Sequence, residues 1–337
     1  MSAISITVES PDQVGEARRA AVAMAHGLGF DEPEAARVAL VVTECATNLW
    51  KHGGGGEILL IAVHRDPSPC MEVLALDKGR GMDLERSFRD GYSTSGSPGT
   101  GLGAIRRVSA FTDAYTQPDH GTALLARFYR QPPRHRAEET GQLLEWGAVC
   151  VPLRGETACG DGFAVREFPG FALVMVVDGL GHGPVAAECA AAACSALDRV
   201  TGRSPAAAME LVHEALHSTR GAAVTIATLD YESRKIRAAG IGNVGGFIFD
   251  NIEARHLATQ PGIAGSDIRN VREYTYEWPS HSHVLLYSDG ISTHWSLAAY
   301  YGLLSRDTSL IAGVLYRDWK RSRDDATVLV IREKSTS

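Results

Sequence analysis

Residues 171–183 read FALVMVVDGLGHG. An unbroken apolar run leads straight into an acid and three glycines, which predicts an apolar strand at 171–177 followed by Asp178-Gly179. A side chain at a strand end can lean over the rim of its sheet, and acidic residues recur in that setting. Asp161 follows Gly160, Asp289-Gly290 follows the apolar stretch 284–287, and Asp324-Asp325 precedes a predicted final strand at 327–332. One Asp-Gly pair is an ordinary turn signal. Acids beside several predicted strand ends form a pattern that turns alone do not account for. Hard carboxylates with water suit Mg2+ or Mn2+. Two such ions roughly 3.5–4 Å apart can ionise a bridging water for in-line attack on a phosphate monoester.

Around this stretch, strands are predicted at 143–152, 163–167, 222–230, 235–240, 245–250, 271–277 and 283–288, and helices at 184–200, 205–218 and 308–320. Upstream, 131–139 reads QPPRHRAEE. Paired prolines remove amide donors and the charges resist burial, so 131–141 reads as a linker. The half before it predicts helices at 12–28 and 32–51, the second with Val38, Val41, Val42, Cys45 and Leu49 at helical spacing, and strands at 58–64, 71–77 and 122–128.

Glu44 and Asn48 fall one turn apart on one face of the second helix. An Asn carbonyl is a hard oxygen suited to Mg2+, and a Glu beside it can orient or deprotonate a nucleophile. The helix gives way to a glycine run at 53–56. Asp77-Lys78-Gly79-Arg80-Gly81 follows an apolar strand, offering a carboxylate to a base amino group and two glycines where backbone passes close to a ligand. Gly99, Gly101 and Gly103 precede a helix and present amides to an anion. Gly121-Thr122 opens the last strand of this half. No Gly-Lys-Ser/Thr has the spacing of a P-loop.

In this order, the N-terminal pieces over about residues 1–130 resemble the Bergerat-fold (GHKL) ATP-binding domain, and within it the anti-sigma-factor serine/threonine kinases, including the switch-kinase subgroup of stress-signalling complexes. The resemblance implies Asn48 as Mg2+ ligand, Asp77 as adenine reader, Thr122 as its helper, Glu44 as catalytic base, and Gly79, Gly81, Gly99, Gly101 and Gly103 as glycine-box residues around ATP. The aspartates and the Asp-Gly-x-Gly-His-Gly string over 142–333 resemble the PP2C-type, sporulation-phosphatase-like metal-dependent phosphatases. That implies a first metal on Asp161, Asp178 and the Gly179 carbonyl, and a second on Asp178, Asp289 and Asp324, with Asp325 the alternative to Asp324. The expected fold is α+β: an N-terminal Bergerat α/β sandwich at 1–130, a linker at 131–141, and a PP2C-like β-sandwich flanked by helices at 142–333. The implied activities are phosphorylation of a Ser or Thr on a STAS-domain regulator with ATP and Mg2+, and hydrolysis of such a phosphoester with two Mn2+ or Mg2+. A sigma factor or downstream regulator is a further implied partner. The alternatives are an N-terminal half that only docks a partner or sequesters a sigma factor, and a kinase whose metal site is vestigial.

The 337 residues predict two domains more readily than one. With 33 basic against 40 acidic residues the formal charge is -7, so nucleic acid is not the expected main partner. Apolar runs stop far short of the ~20 residues that cross a bilayer. MSAISITVES lacks a basic region leading into an apolar core, so neither membrane nor secretory signal is expected, and the cytoplasm is the expected location. Six cysteines without a Cys-x-x-Cys pair predict reduced, buried thiols. His281 and His283 read as a solvated strand edge, Trp278, Trp295 and Trp319 as core or interface, 93–97 as a mobile lid, and 291–306 as too compact for much of a flap. His182 reads equally as a loop-shaping or partner-contact residue and as a general acid.

Overall fold

The computed structural model describes residues 3–65, 68–84, 101–130, 143–250, 253–266, 268, 270–294 and 296–334. Chain contacts divide the molecule into two compact units: Ala3–Arg136 together with Tyr300–Arg317, and Ala137–Ala299 together with Asp318–Ser337. The division by contacts is therefore not linear in sequence. The expected linker at 131–141, the lid at 93–97 and Trp295 lie outside the described residues.

In the first unit, β1 (Ala3–Val8), β2 (Gly56–Arg65), β3 (Ser68–Leu76), β4 (Phe111–Gln117) and β5 (Gly121–Tyr129) form an antiparallel sheet in the order β1-β2-β3-β5-β4. Helices α1 (Pro11–Gly27), α2 (Glu32–His52) and α3 (Gly101–Val108) supply the helical layer. The start of α2 is set by a reciprocal cap: Asp31 Oδ1 accepts from the Glu34 amide at 2.8 Å, and Glu34 Oε2 accepts from the Asp31 amide at 2.9 Å. Its apolar stripe, Val38, Val41, Val42, Cys45 and Leu49, joins Ile58, Leu60, Met71, Val73, Leu124 and Ala126 in one core.

Alternation turns Leu59, Leu74, Leu76 and Leu125 to the opposite face, and these too are buried. Helix α6 (Thr308–Trp319) lies on that face, where Gly313 sits against Leu74 and Leu76; a Cβ there would stand 3.1 Å from Leu74 Cδ1. The three central strands are consequently apolar on both faces. Sequence reasoning found those strands and missed β1 and β4, the two edges, where polar residues such as Asp113, Thr116 and Gln117 dilute the pattern.

The second unit stacks two antiparallel sheets. One has the order β13 (Tyr274–Glu277), β10 (Lys235–Ile241), β9 (Ala222–Asp230), β8 (Phe171–Gly179), β7 (Asp161–Phe168). The other has the order β12 (Ala254–His256), β11 (Gly245–Phe249), β14 (His283–Tyr287), β15 (Ala326–Glu333), β6 (Leu144–Val151). Ala172, Val174 and Val176 of β8 face the second sheet through Ala148, Val284, Leu286 and Leu329. Leu173, Met175 and Val177 face helices α4 (Pro184–Leu197) and α5 (Pro205–Ala215) through Cys189, Ala193, Met209 and Val212. Burial on both faces explains the unbroken apolar run that opened the sequence reading. His283 is buried at the start of β14, not on a solvated edge.

Candidate functional site

In the first unit, β3 ends at Leu76 and delivers Asp77 beneath the end of α2. Asp77 Oδ1 accepts from the Gly79 amide at 2.9 Å and the Thr122 amide at 3.1 Å, while the Asp77 amide donates to the Thr122 carbonyl at 2.9 Å. Burial raises the carboxyl above its ordinary value; the two amides and then the Arg317 charge oppose that rise. The approach is close. A Cβ on Gly53 would lie 2.9 Å from Asp77 Cβ, and one on Gly79 would lie 2.9 Å from the Gly53 carbonyl. Gly121 has φ +83°, and a Cβ on it would stand 2.0 Å from the Asp77 carbonyl. Gly81, with φ +75°, packs on Thr116 and Gln117. Asp77, Gly79, Thr122 and the C-terminal end of α2 thus converge. Glu44 and Asn48 are half-buried on α2, one turn apart and off its apolar stripe. Gly101 and Gly103 lie in the first turn of α3, whose Ile105 enters the same core as α2; Gly99 lies outside the described residues.

In the second unit, the register of β7 and β8 sets Asp161 directly opposite Asp178. Ser288 Oγ donates to Asp161 Oδ2 at 2.6 Å, and Asn243 Nδ2 donates to Asp289 Oδ2 at 2.6 Å. Burial, and then the Asp178 charge, holds the Asp161 carboxyl well above the ordinary range. Asp178 is pushed up to about 7 by burial and by Asp289, Asp324 and Asp325 in turn. Burial and then Asp324 raise Asp289. Such mutual elevation is the signature of like charges gathered in a low dielectric, and a divalent cation would reverse it.

Asp324 and Asp325 differ. Asp325, only 2% exposed, accepts from the Leu153 amide on Oδ1 at 2.6 Å and the Gly160 amide on Oδ2 at 2.7 Å. Asp324 is half-buried and accepts from the Asp325 amide at 2.9 Å. Among the described residues, no three carboxylate, imidazole or thiol groups stand in a ready-made cation cage. The donor chemistry nonetheless fits hard divalent ions: carboxylates whose charges already oppose one another, set on backbone that packs tightly. A Cβ on Gly290 would stand 1.8 Å from the Asp325 carbonyl, which welds the Asp289 turn to the Asp324 turn. Gly179, at the end of β8, donates its amide to the Gly160 carbonyl at 3.0 Å.

Sequence reasoning missed Ser288, Asn243, Glu156 and Arg317. Ser288 and Asn243 each sit beside a strand end next to glycine or aspartate, the same signal that exposed the aspartates. Glu156 Oε1 lies 2.7 Å from His182 Nδ1, an exposed pair at the loop before α4. The six cysteines are free thiols, and Cys150 Sγ lies 3.5 Å from Cys159 Sγ. Among the described residues no helix is long and apolar enough to cross a membrane.

Two stretches of the chain match known family models. Residues 169–334 match the family model of stage II sporulation protein E, and residues 7–128 match that of the histidine kinase-like ATPase domain. The chain thus resembles a histidine kinase-like ATPase domain over 7–128 and stage II sporulation protein E over 169–334, and its architecture is α+β. It is 33% identical over 86 residues to the serine/threonine-protein kinase RsbT of Bacillus subtilis (strain 168), an alignment covering 25% of this chain and 65% of that kinase. It is 24% identical over 140 residues to the phosphoserine phosphatase RsbX of the same strain, covering 41% of this chain and 70% of that protein. A solved structure of the PP2C phosphatase domain of SpoIIE from Bacillus subtilis, with a fragment of its regulatory domain, matches with a TM-score of 0.50 at 14% identity, covering 97% of each chain. This shows the shared fold.

Proposed function

We propose that the first unit transfers the ATP γ-phosphoryl group to a Ser or Thr of a STAS-domain regulator, and that the second hydrolyses a phosphoserine or phosphothreonine on such a protein. One observation carries the reading: the strand ends of the second unit gather carboxylates whose charges raise one another, in a chain whose other unit wraps Asp77 in a glycine-lined turn. The likeness to a kinase and a phosphatase of one organism supports pairing the two activities.

In the phosphatase unit, Asp161 and Asp178 with the Gly179 carbonyl would hold one Mn2+ or Mg2+, and Asp178, Asp289 and Asp324 a second. Asp324 is preferred over Asp325, because both oxygens of Asp325 are already bonded to the Leu153 and Gly160 amides. The bound pair supplies Lewis acidity and a nucleophile at neutral pH. Ser288 and Asn243 orient their carboxylates, and Asp325 ties the loop carrying Asp161 to the turn carrying Asp324.

In the kinase unit, both amide bonds to Asp77 fall on Oδ1, so Oδ2 is the oxygen offered to the adenine amino group. Asn48 would hold Mg2+, and Glu44 would accept the hydroxyl proton of the attacking Ser or Thr as the γ-phosphoryl leaves ADP. Thr122 would line the adenine side, and Gly101 and Gly103, in the first turn of α3, would present amides to the phosphates.

The test incubates the full chain with labelled ATP, Mn2+ and a candidate STAS protein. Label appears on the protein and is then released as phosphate. With Glu44→Ala no label appears although ATP still binds; with Asp178→Ala label appears and persists. Label that never appears with the intact chain, despite bound ATP, would favour the docking-module reading.

A further inference from the structure

We infer that Arg317, contributed by the C-terminal half of the sequence, is a positioning residue of the nucleotide site in the N-terminal half. This rests on the reading of Asp77 as the adenine reader. Arg317 Nη1 donates to the Asp77 carbonyl at 3.1 Å, while the Gly79 amide donates to the carboxylate of the same residue. The residue is 4% exposed, so its charge is little screened by water where it stands beside the backbone of Asp77. Its charge is among the influences that oppose the burial-driven rise of Asp77.

The helix that carries Arg317 is fastened to the sheet along its length. Arg127 Nε donates to Glu72 Oε1 at 2.8 Å, and Arg127 Nη2 donates to Asp307 Oδ1 at 3.0 Å. Asp113 Oδ2 accepts from the Asp307 amide at 2.9 Å, and Tyr316 donates its hydroxyl to Glu57 Oε1 at 2.9 Å. All of these residues share one compact unit, so the helix up to Arg317 belongs to the nucleotide domain by contact although in sequence it lies between strands of the second unit. These anchors, at the start of the helix and at the residue just before Arg317, limit its freedom, and its bond to the Asp77 carbonyl helps hold that backbone in place.

A carboxylate held ionised and in place against the 6-position of a purine prefers the amino group adenine carries there over the carbonyl guanine carries there. Arg317 therefore acts on affinity and on base selectivity together. Binding of ATP and GTP to the full chain is measured by calorimetry, alongside thermal melts, for the wild type, Arg317→Met, Arg317→Lys and Tyr316→Phe. Arg317→Met is expected to weaken ATP about tenfold, equivalent to about 1.4 kcal/mol, and to lower the ATP-to-GTP preference. Arg317→Lys keeps a buried cation, folds, and falls between the two. Tyr316→Phe loosens the same helix without touching Asp77 and keeps the wild-type preference. Wild-type affinity and preference in both Arg317 variants overturn the inference, and if Arg317→Met fails to fold, Arg317→Lys alone decides. A wild-type chain that binds no ATP would instead overturn the nucleotide reading itself, and this inference with it.

Discussion

Asp324 and Asp325 are adjacent in sequence and do different work. Asp325 spends both oxygens on the amides of Leu153 and Gly160, so Asp325→Ala should loosen the Asp161 loop and lower phosphatase activity with a weaker apparent metal affinity. Asp178 shows the opposing pull of stability and function. Its carboxyl is pushed up to about 7, so ionised Asp178 strains the metal-free fold. Asp178→Asn should abolish hydrolysis yet raise the melting temperature of the chelated protein at pH 8 by about 2–8 °C, at about 2–4 °C per kcal/mol. For Asp77 the sign is similar. Its raised carboxyl costs stability when ionised, and the cost fades as pH falls through the raised value. Under the proposed reading of Asp77, adenine binds the ionised form, so ATP affinity should fall on acidification, starting above the ordinary 3.8, and Asp77→Asn should bind weakly at every pH.

At the scale of elements, the sequence disclosed what burial on both faces imposes. The apolar run 171–177 became β8, and the helical stripe from Val38 to Leu49 became the core face of α2. The aspartates were legible because acids at strand ends stand out against such runs. Arg317 was not legible: in sequence it is one basic residue near the end of an amphipathic helix, and only packing turns it toward Asp77. The edge strands β1 and β4 escaped for the converse reason, since a half-exposed strand keeps its polar residues. Arg127, 5% exposed, bridges Glu72 and Asp307, which links β3 and β5 to the start of α6. Removing one partner of a buried pair leaves uncompensated charge, so Arg127→Ala should destabilise the first unit by about 3–5 kcal/mol in urea titrations.

At the scale of the molecule, the nucleotide unit is built from two separated pieces of chain, Ala3–Arg136 and Tyr300–Arg317. A fragment of residues 1–136 alone would bare Leu74 and Leu76 on the face where Gly313 normally sits. It should bind a hydrophobic dye and self-associate in gel filtration. Joining 300–317 to it through a flexible linker should restore a monodisperse species. Monodisperse behaviour of the short fragment would show that the helix is dispensable to this sheet.

That split also sets a timetable for synthesis. The stretch ending at Arg136 leaves the ribosome well before Arg317 is made, with 317 − 136 = 181 residues still to come. At about 5–20 residues per second, the nascent sheet waits about 9–36 s with one oily side uncovered. A chaperone shielding that side during translation would determine the yield of folded protein, and codons that slow the ribosome within the phosphatase strands would lengthen the exposure.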